Sequence, residues 1–143
     1  MAMPRRKVSP AKRLLIATRA AFLCEYCRIP EDFSTDVFNI EHVNSLLHGG
    51  TNADNNLAYS CGGCNANKHF HISWNDPQTG TLVPLFHPRK DKWREHFSWS
   101  EDLTLLTGLT PQGRATIDLL KMNRPGLVNL RKALLSYSAH PDM

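Results

Sequence analysis

Residues able to do chemistry crowd into the stretch 38–70, FNIEHVNSLLHGGTNADNNLAYSCGGCNANKHF. All four cysteines of the chain fall into two Cys-x-x-Cys pairs, Cys24/Cys27 and Cys61/Cys64. Each pair forms a knuckle whose thiolates point the same way, and two knuckles supply the four tetrahedral ligands that Zn²⁺ prefers. No cysteine is left over, so the expected site is closed and structural. A thioredoxin-type redox site would use one pair and a different surrounding fold. The spacer 28–60 is longer than a simple zinc ribbon needs, so a folded insertion must lie between the knuckles. Glu41 and His42, at the end of an apolar run, belong to that insertion, as do the turn Gly49-Gly50 and the pair Asn55-Asn56. Asn65 and Lys68 follow the second knuckle at once.

The pattern EH…NN…CGGCN-x-x-K resembles the HNH endonucleases, in the bacterial subgroup that carries a four-cysteine zinc site. The resemblance covers roughly residues 23–71 and implies a ββα-metal catalytic unit. It implies that His42 is the general base, that Glu41 is an acidic ligand of a catalytic ion, and that Asn56 holds the loop that orients the histidine. Asn65 then stands at the second ligand position, where many members have His, and Lys68 at a basic position suited to a phosphate. His69 is the reserve ligand, because the colicin-type branch has a metal-binding His at this offset. The downstream run WREHFSW…GLTPQGRAT…KMNRPGLV looks like the C-terminal extension of a bacterial branch, for which no chemistry is implied. The expected products are a 3′-hydroxyl and a 5′-phosphate.

Elementary chemistry is consistent with these roles. Phosphodiester hydrolysis needs an activated water, stabilisation of the charge that builds on phosphorus, and help for the leaving oxyanion. One divalent cation held by a carboxylate and an amide oxygen answers the last two needs. Histidine, which titrates near neutrality, answers the first. Oxygen ligands favour Mg²⁺ or Mn²⁺ over zinc, and participation of His69 would move the choice toward softer ions. On a helix beginning at Cys61 the two cysteines face one metal, and Asn65 lies about 100° round from Cys64. His69, four residues after Asn65, shares its face.

The elements that must position these groups can be read from the sequence. Ser9-Pro10 starts a helix running to about residue 22, with Leu14, Leu15, Thr18, Ala21 and Phe22 on its apolar face. Residues 28–33 read as a loop, 37–43 as a strand by alternation, 51–56 as a loop, and 57–60 as a second strand. A helix from Cys61 ends near residue 71. Turn signals fill 72–81. A strand over 82–86 is pushed to an edge by Pro84. One or two helical turns around Trp93 follow, then a strand–turn–strand unit over 97–109. Two helices close the chain, from Thr110-Pro111 through residue 122 and over 126–137. The expected architecture is α+β: residues 1–8 a basic flexible arm, 9–71 a zinc-stabilised core, and 72–143 an extension packed on it.

Composition bounds the partners. With 143 residues, net charge +4 and pI about 9.0, the chain reads as a soluble domain rather than a membrane protein. Paired cysteines and no signal-peptide core point to the cytoplasm. Arg5, Arg6, Lys7, Lys12, Arg13 and Arg19 all precede the first acid, Glu25, and form a candidate phosphate-contacting arm. The expected partner is double-stranded DNA, cut with low sequence specificity, and RNA stays open. So do a homodimer, a partner protein supplying specificity, and a non-catalytic zinc module that only binds nucleic acid. The remaining histidines (His48, His71, His87, His96, His140) read as loop or structural residues.

Overall fold

A computed structural model describes residues 8–141. Helix α1 (Pro10–Arg19) starts where Ser9 Oγ accepts the Lys12 amide at 3.1 Å, with Pro10 in the first turn. It stops three residues earlier than its periodicity suggests. Ala21 and Phe22 both take left-handed backbone, with φ of 54° and 57°, and swing the chain toward Cys24. The buried face is also different from the expected one. Ile16, Ala17 and Ala20 are buried, whereas Leu14 and Leu15 are exposed. In this orientation its basic side chains reach backbone carbonyls of the neighbouring hairpin and loop, as described below.

Strand β1 (Asn39–His42) pairs antiparallel with β2 (Leu57–Ser60), Glu41 opposite Ala58 and His42 opposite Leu57. Every residue of β2 is buried, and Tyr59 stacks at a tilt on Phe38 with ring centroids 5.5 Å apart. Burying such side chains contributes roughly 1.5–3 kcal/mol each, which fixes the hairpin register. Between the strands the chain makes two short 3₁₀ turns, Leu46–His48 and Asp54–Asn56. Helix α2 (Gly62–Lys68) follows β2 directly, completing a ββα unit.

The extension adds the hairpin β3 (Ser73–Asn75) and β4 (Leu82–Pro84), a helical turn α3 (Trp93–His96), and the hairpin β5 (Phe97–Trp99) and β6 (Leu106–Gly108). Helices α4 (Pro111–Leu120) and α5 (Pro125–Leu135) complete it. The short strand β3 lies among the turn signals of 72–81, and three residues are too few for a periodic signal. α4 touches β3, β4, β6, α2 and α3. The apolar core is continuous from Ile16 and Tyr59 through Phe86 and Trp93 to Leu120 and Leu134, so extension and ββα unit share one interior. Among the described residues no helix is long and apolar enough to cross a membrane.

Candidate active site

The sulfur atoms of Cys24, Cys27, Cys61 and Cys64 all lie within 4.8 Å of one another, and all four residues are buried. Cys27 and Cys61 Sγ are 3.7 Å apart. A tetrahedral zinc with Zn–S bonds of about 2.3 Å requires sulfurs about 3.8 Å apart, close to the Cys27–Cys61 spacing, and the cluster fits a structural zinc. The second knuckle is locked by α2, where Cys61 Sγ accepts the Cys64 amide at 3.4 Å.

Beside this cluster, β1 and α2 border a cavity of approximately 1040 Å³. Glu41, His42, Asn65 and His69, four of the residues singled out from the sequence, line it together with Arg13 and Ser45. Its rim is apolar: Val37, Leu46, Leu47 and Phe70 are exposed and border the same space. His69 ends α2 with φ 53° and ψ −129°, a conformation that side-chain-bearing residues rarely adopt.

The imidazole of His42 meets Asn52 Oδ1 through Nε2 at 2.6 Å. An amide oxygen only accepts, so in the neutral ring Nε2 carries the proton and Nδ1 keeps its lone pair. Asn52 falls in the loop stretch 51–56, and nothing in the sequence marks it as a partner of His42. Asn56 ties the intervening loop down. Its Oδ1 accepts the Asn44 amide at 2.8 Å, and its Nδ2 donates to Asn44 O at 2.9 Å and Thr51 O at 2.8 Å. The loop between the strands is thereby pinned one residue away from Asn52.

Glu41 is almost fully buried, and both of its carboxylate oxygens are engaged. Oε2 accepts the Tyr26 hydroxyl at 2.6 Å, and Oε1 lies 2.6 Å from Lys68 Nζ. Burial pushes the Glu41 carboxyl above its ordinary range, and the Lys68 ammonium pulls it back. Lys68, expected at a phosphate, is instead an interior residue. Its side chain is 1% exposed, and it also donates to Val43 O at 2.9 Å. It lines a second cavity, of approximately 640 Å³, shared with Asn56 and residues of the extension. The physical reason is the carboxylate: a buried charge needs an opposite charge in contact. By type, the carboxylate, amide and imidazole donors of the larger cavity fit a hard or borderline divalent ion. An ion approaching Glu41 would share a carboxylate already matched by an ammonium.

The described members of the expected basic arm find partners within the chain while staying at or near the surface. Lys12 Nζ donates to Asn52 O at 2.6 Å and pairs with Asp54 at 3.0 Å. Arg13 donates to Phe38 O and lies over the Tyr59 ring. Arg19 donates to Asp54 O at 2.9 Å and Leu57 O at 2.6 Å. These three side chains fasten α1 to the hairpin and its loop, where the sequence suggested contacts to an external polyanion. Arg5, Arg6 and Lys7 lie outside the described residues.

Two further residues escaped the sequence reading. Tyr26, inside the first knuckle, joins the zinc cluster to Glu41 through its hydroxyl. Arg124, far downstream, directs its guanidinium at Cys61 and Cys64. Comparison with known proteins agrees with the local geometry: residues 24–71 match the family model described as HNH endonuclease. No curated protein and no solved structure matches the chain. The ββα unit and the four-cysteine cluster fall on these matched residues, a stretch similar to an HNH domain.

Proposed function

We propose that the protein is a metal-dependent endonuclease that nicks DNA with low sequence specificity, His42 acting as general base. The observation that carries this reading is the ring of His42. It is held at Nε2 by Asn52 and lines one cavity with Glu41, Asn65 and His69. With Nε2 protonated toward Asn52, Nδ1 is the atom that takes the proton from an attacking water. Asn52 then stabilises the imidazolium that forms, since its amide oxygen continues to accept. A divalent ion bound by Glu41 and Asn65, with His69 in reserve, would supply charge stabilisation at the phosphorane and the leaving oxygen. Mg²⁺ or Mn²⁺ suits the oxygen donors best. Asn56 keeps the loop carrying Asn52 in register with β1. Arg5, Arg6 and Lys7 remain the proposed phosphate contacts, and such contacts position the nucleic acid without reading its sequence.

A non-catalytic nucleic-acid-binding module is the second reading, favoured by the Glu41–Lys68 ion pair that already neutralises the leading ligand. Nicking of supercoiled plasmid in Mg²⁺ or Mn²⁺ separates the two. The wild type is expected to convert supercoiled to open-circular DNA, and His42→Ala to lose roughly 10²–10⁴-fold in rate. If both proteins bind DNA and neither nicks it with any divalent ion, the module reading stands. Parallel digestion of RNA tests the substrate.

A further inference from the structure

The extension beyond residue 71 has no counterpart in the matched domain, yet it reaches both zinc knuckles. At the first, Trp93 Nε1 donates to Tyr26 O at 2.9 Å, Arg89 pairs with Glu25, and Arg28 lies over the Trp93 ring at 5.0 Å. At the second, Asn67 Nδ2 donates to Leu120 O at 2.8 Å. The Arg124 guanidinium lies closest to the sulfurs: Nη2 is 3.5 Å from Cys61 Sγ and Nη1 is 3.7 Å from Cys64 Sγ. Nη1 also donates to Leu120 O and Lys121 O, each at 3.2 Å, so the fork is held from behind by the end of α4. The corner carrying Arg124 is itself braced by the buried Arg131. That residue donates to Met122 O at 2.6 Å and to Asn123 Oδ1 at 3.2 Å.

A zinc ion with four thiolates carries a net charge of about −2, and burying it uncompensated is costly. Hydrogen bonds to ligating atoms from outside the ligand set are known to govern metal retention. We infer that Arg124 is a positioning residue of the zinc centre, a cation lent by the extension that donates to Cys61 and Cys64 and slows loss of the metal. Gly63, between those two cysteines, belongs to the same device. A Cβ built there would stand 2.8 Å from the Arg124 Cζ, so only glycine leaves the guanidinium room against α2. The neighbour is the mobile end of a long side chain, so Gly63→Ala would displace the guanidinium without obstructing the backbone.

Two variants that reach the same contact by different routes make the test. Zinc transfer from the folded protein to a chromophoric chelator is timed for wild type, Arg124→Gln, Arg124→Lys and Gly63→Ala. The Co²⁺-substituted forms are compared by their thiolate-to-cobalt charge-transfer band. Arg124→Gln and Gly63→Ala are both expected to release zinc roughly 10–100-fold faster. Both are expected to move the cobalt band to lower energy, because thiolates without a donor are better electron donors. Arg124→Lys, which keeps the charge, is expected to fall between. Native release rates and an unmoved band in Gly63→Ala would overturn the inference. So would a wild-type protein that binds no zinc. Should Arg124→Gln fail to fold, Gly63→Ala decides by the same two readouts. Neither readout depends on cleavage, so nuclease activity and this role stand or fall separately.

Discussion

The zinc cluster and the His42 cavity are neighbours on one short helix, yet they are built on opposite plans. The cluster is sealed: four buried sulfurs, a backbone amide and an arginine fork face inward, leaving no position for substrate. The cavity is roomy, with an imidazole oriented from one side by Asn52 and an apolar rim open to solvent. Between them stands an ion pair, Glu41–Lys68, that faces the cavity through its carboxylate and the interior through its ammonium. The difference teaches where rigidity is held. The closed site ties β2 to α2, and α2 borders the open one together with β1, the strand paired with β2. It so fixes the backbone from which the cavity's polar groups project.

Removing the closed site should have the largest effect. Chelation of zinc, or Cys61→Ser, is expected to abolish the folded state, since structural zinc contributes on the order of 10 kcal/mol to such domains. Far-ultraviolet circular dichroism with and without a strong chelator measures this. A chelated protein that keeps its spectrum and its cooperative melt would break the contrast drawn between the two sites.

Next comes the ion pair between them. Lys68→Met should leave Glu41 buried and uncompensated, costing about 3–5 kcal/mol by urea unfolding. The double variant Glu41→Gln, Lys68→Met should recover much of that loss. If instead Lys68→Met unfolds like the wild type and only DNA affinity drops, Lys68 is the phosphate contact that its place in the sequence suggested.

The smallest effect on stability should come from the open site. Asn52→Ala removes the partner of His42 Nε2 and is expected to slow plasmid nicking roughly 10–100-fold, because a misoriented catalytic group costs about that much. Its melting temperature should stay close to that of the wild type. Equal nicking rates would show that the imidazole is held by something other than Asn52.

Much of this was legible in the residues. The knuckle spacing specified the zinc cluster, because a Cys-x-x-Cys turn is a local structure that needs no distant partner to be recognised. Ser9-Pro10 and Thr110-Pro111 marked two helix starts for the same local reason, and both hydroxyls cap as expected. The motif also picked out His42, Glu41 and Asn65, which the fold then places around one cavity. What the residues alone did not specify is where a charged side chain finds its partner. Lys12, Arg13 and Arg19 read as a basic face for a polyanion, yet each finds carbonyls on the hairpin or its loop. Lys68, expected at a phosphate, is the counter-ion of a buried acid.

What the sequence determined by itself is the inventory and the local geometry: two knuckles, a histidine at the end of a strand, and the helix that carries Asn65. The tertiary structure alone decided the pairings across long separations, Asn52 with His42, Lys68 with Glu41 and Arg124 with Cys61 and Cys64. Those pairings follow from the cost of leaving charge or hydrogen-bonding capacity buried without a partner. That cost is not a property of any one residue, and it can be assessed only once packing has determined which groups lose contact with water.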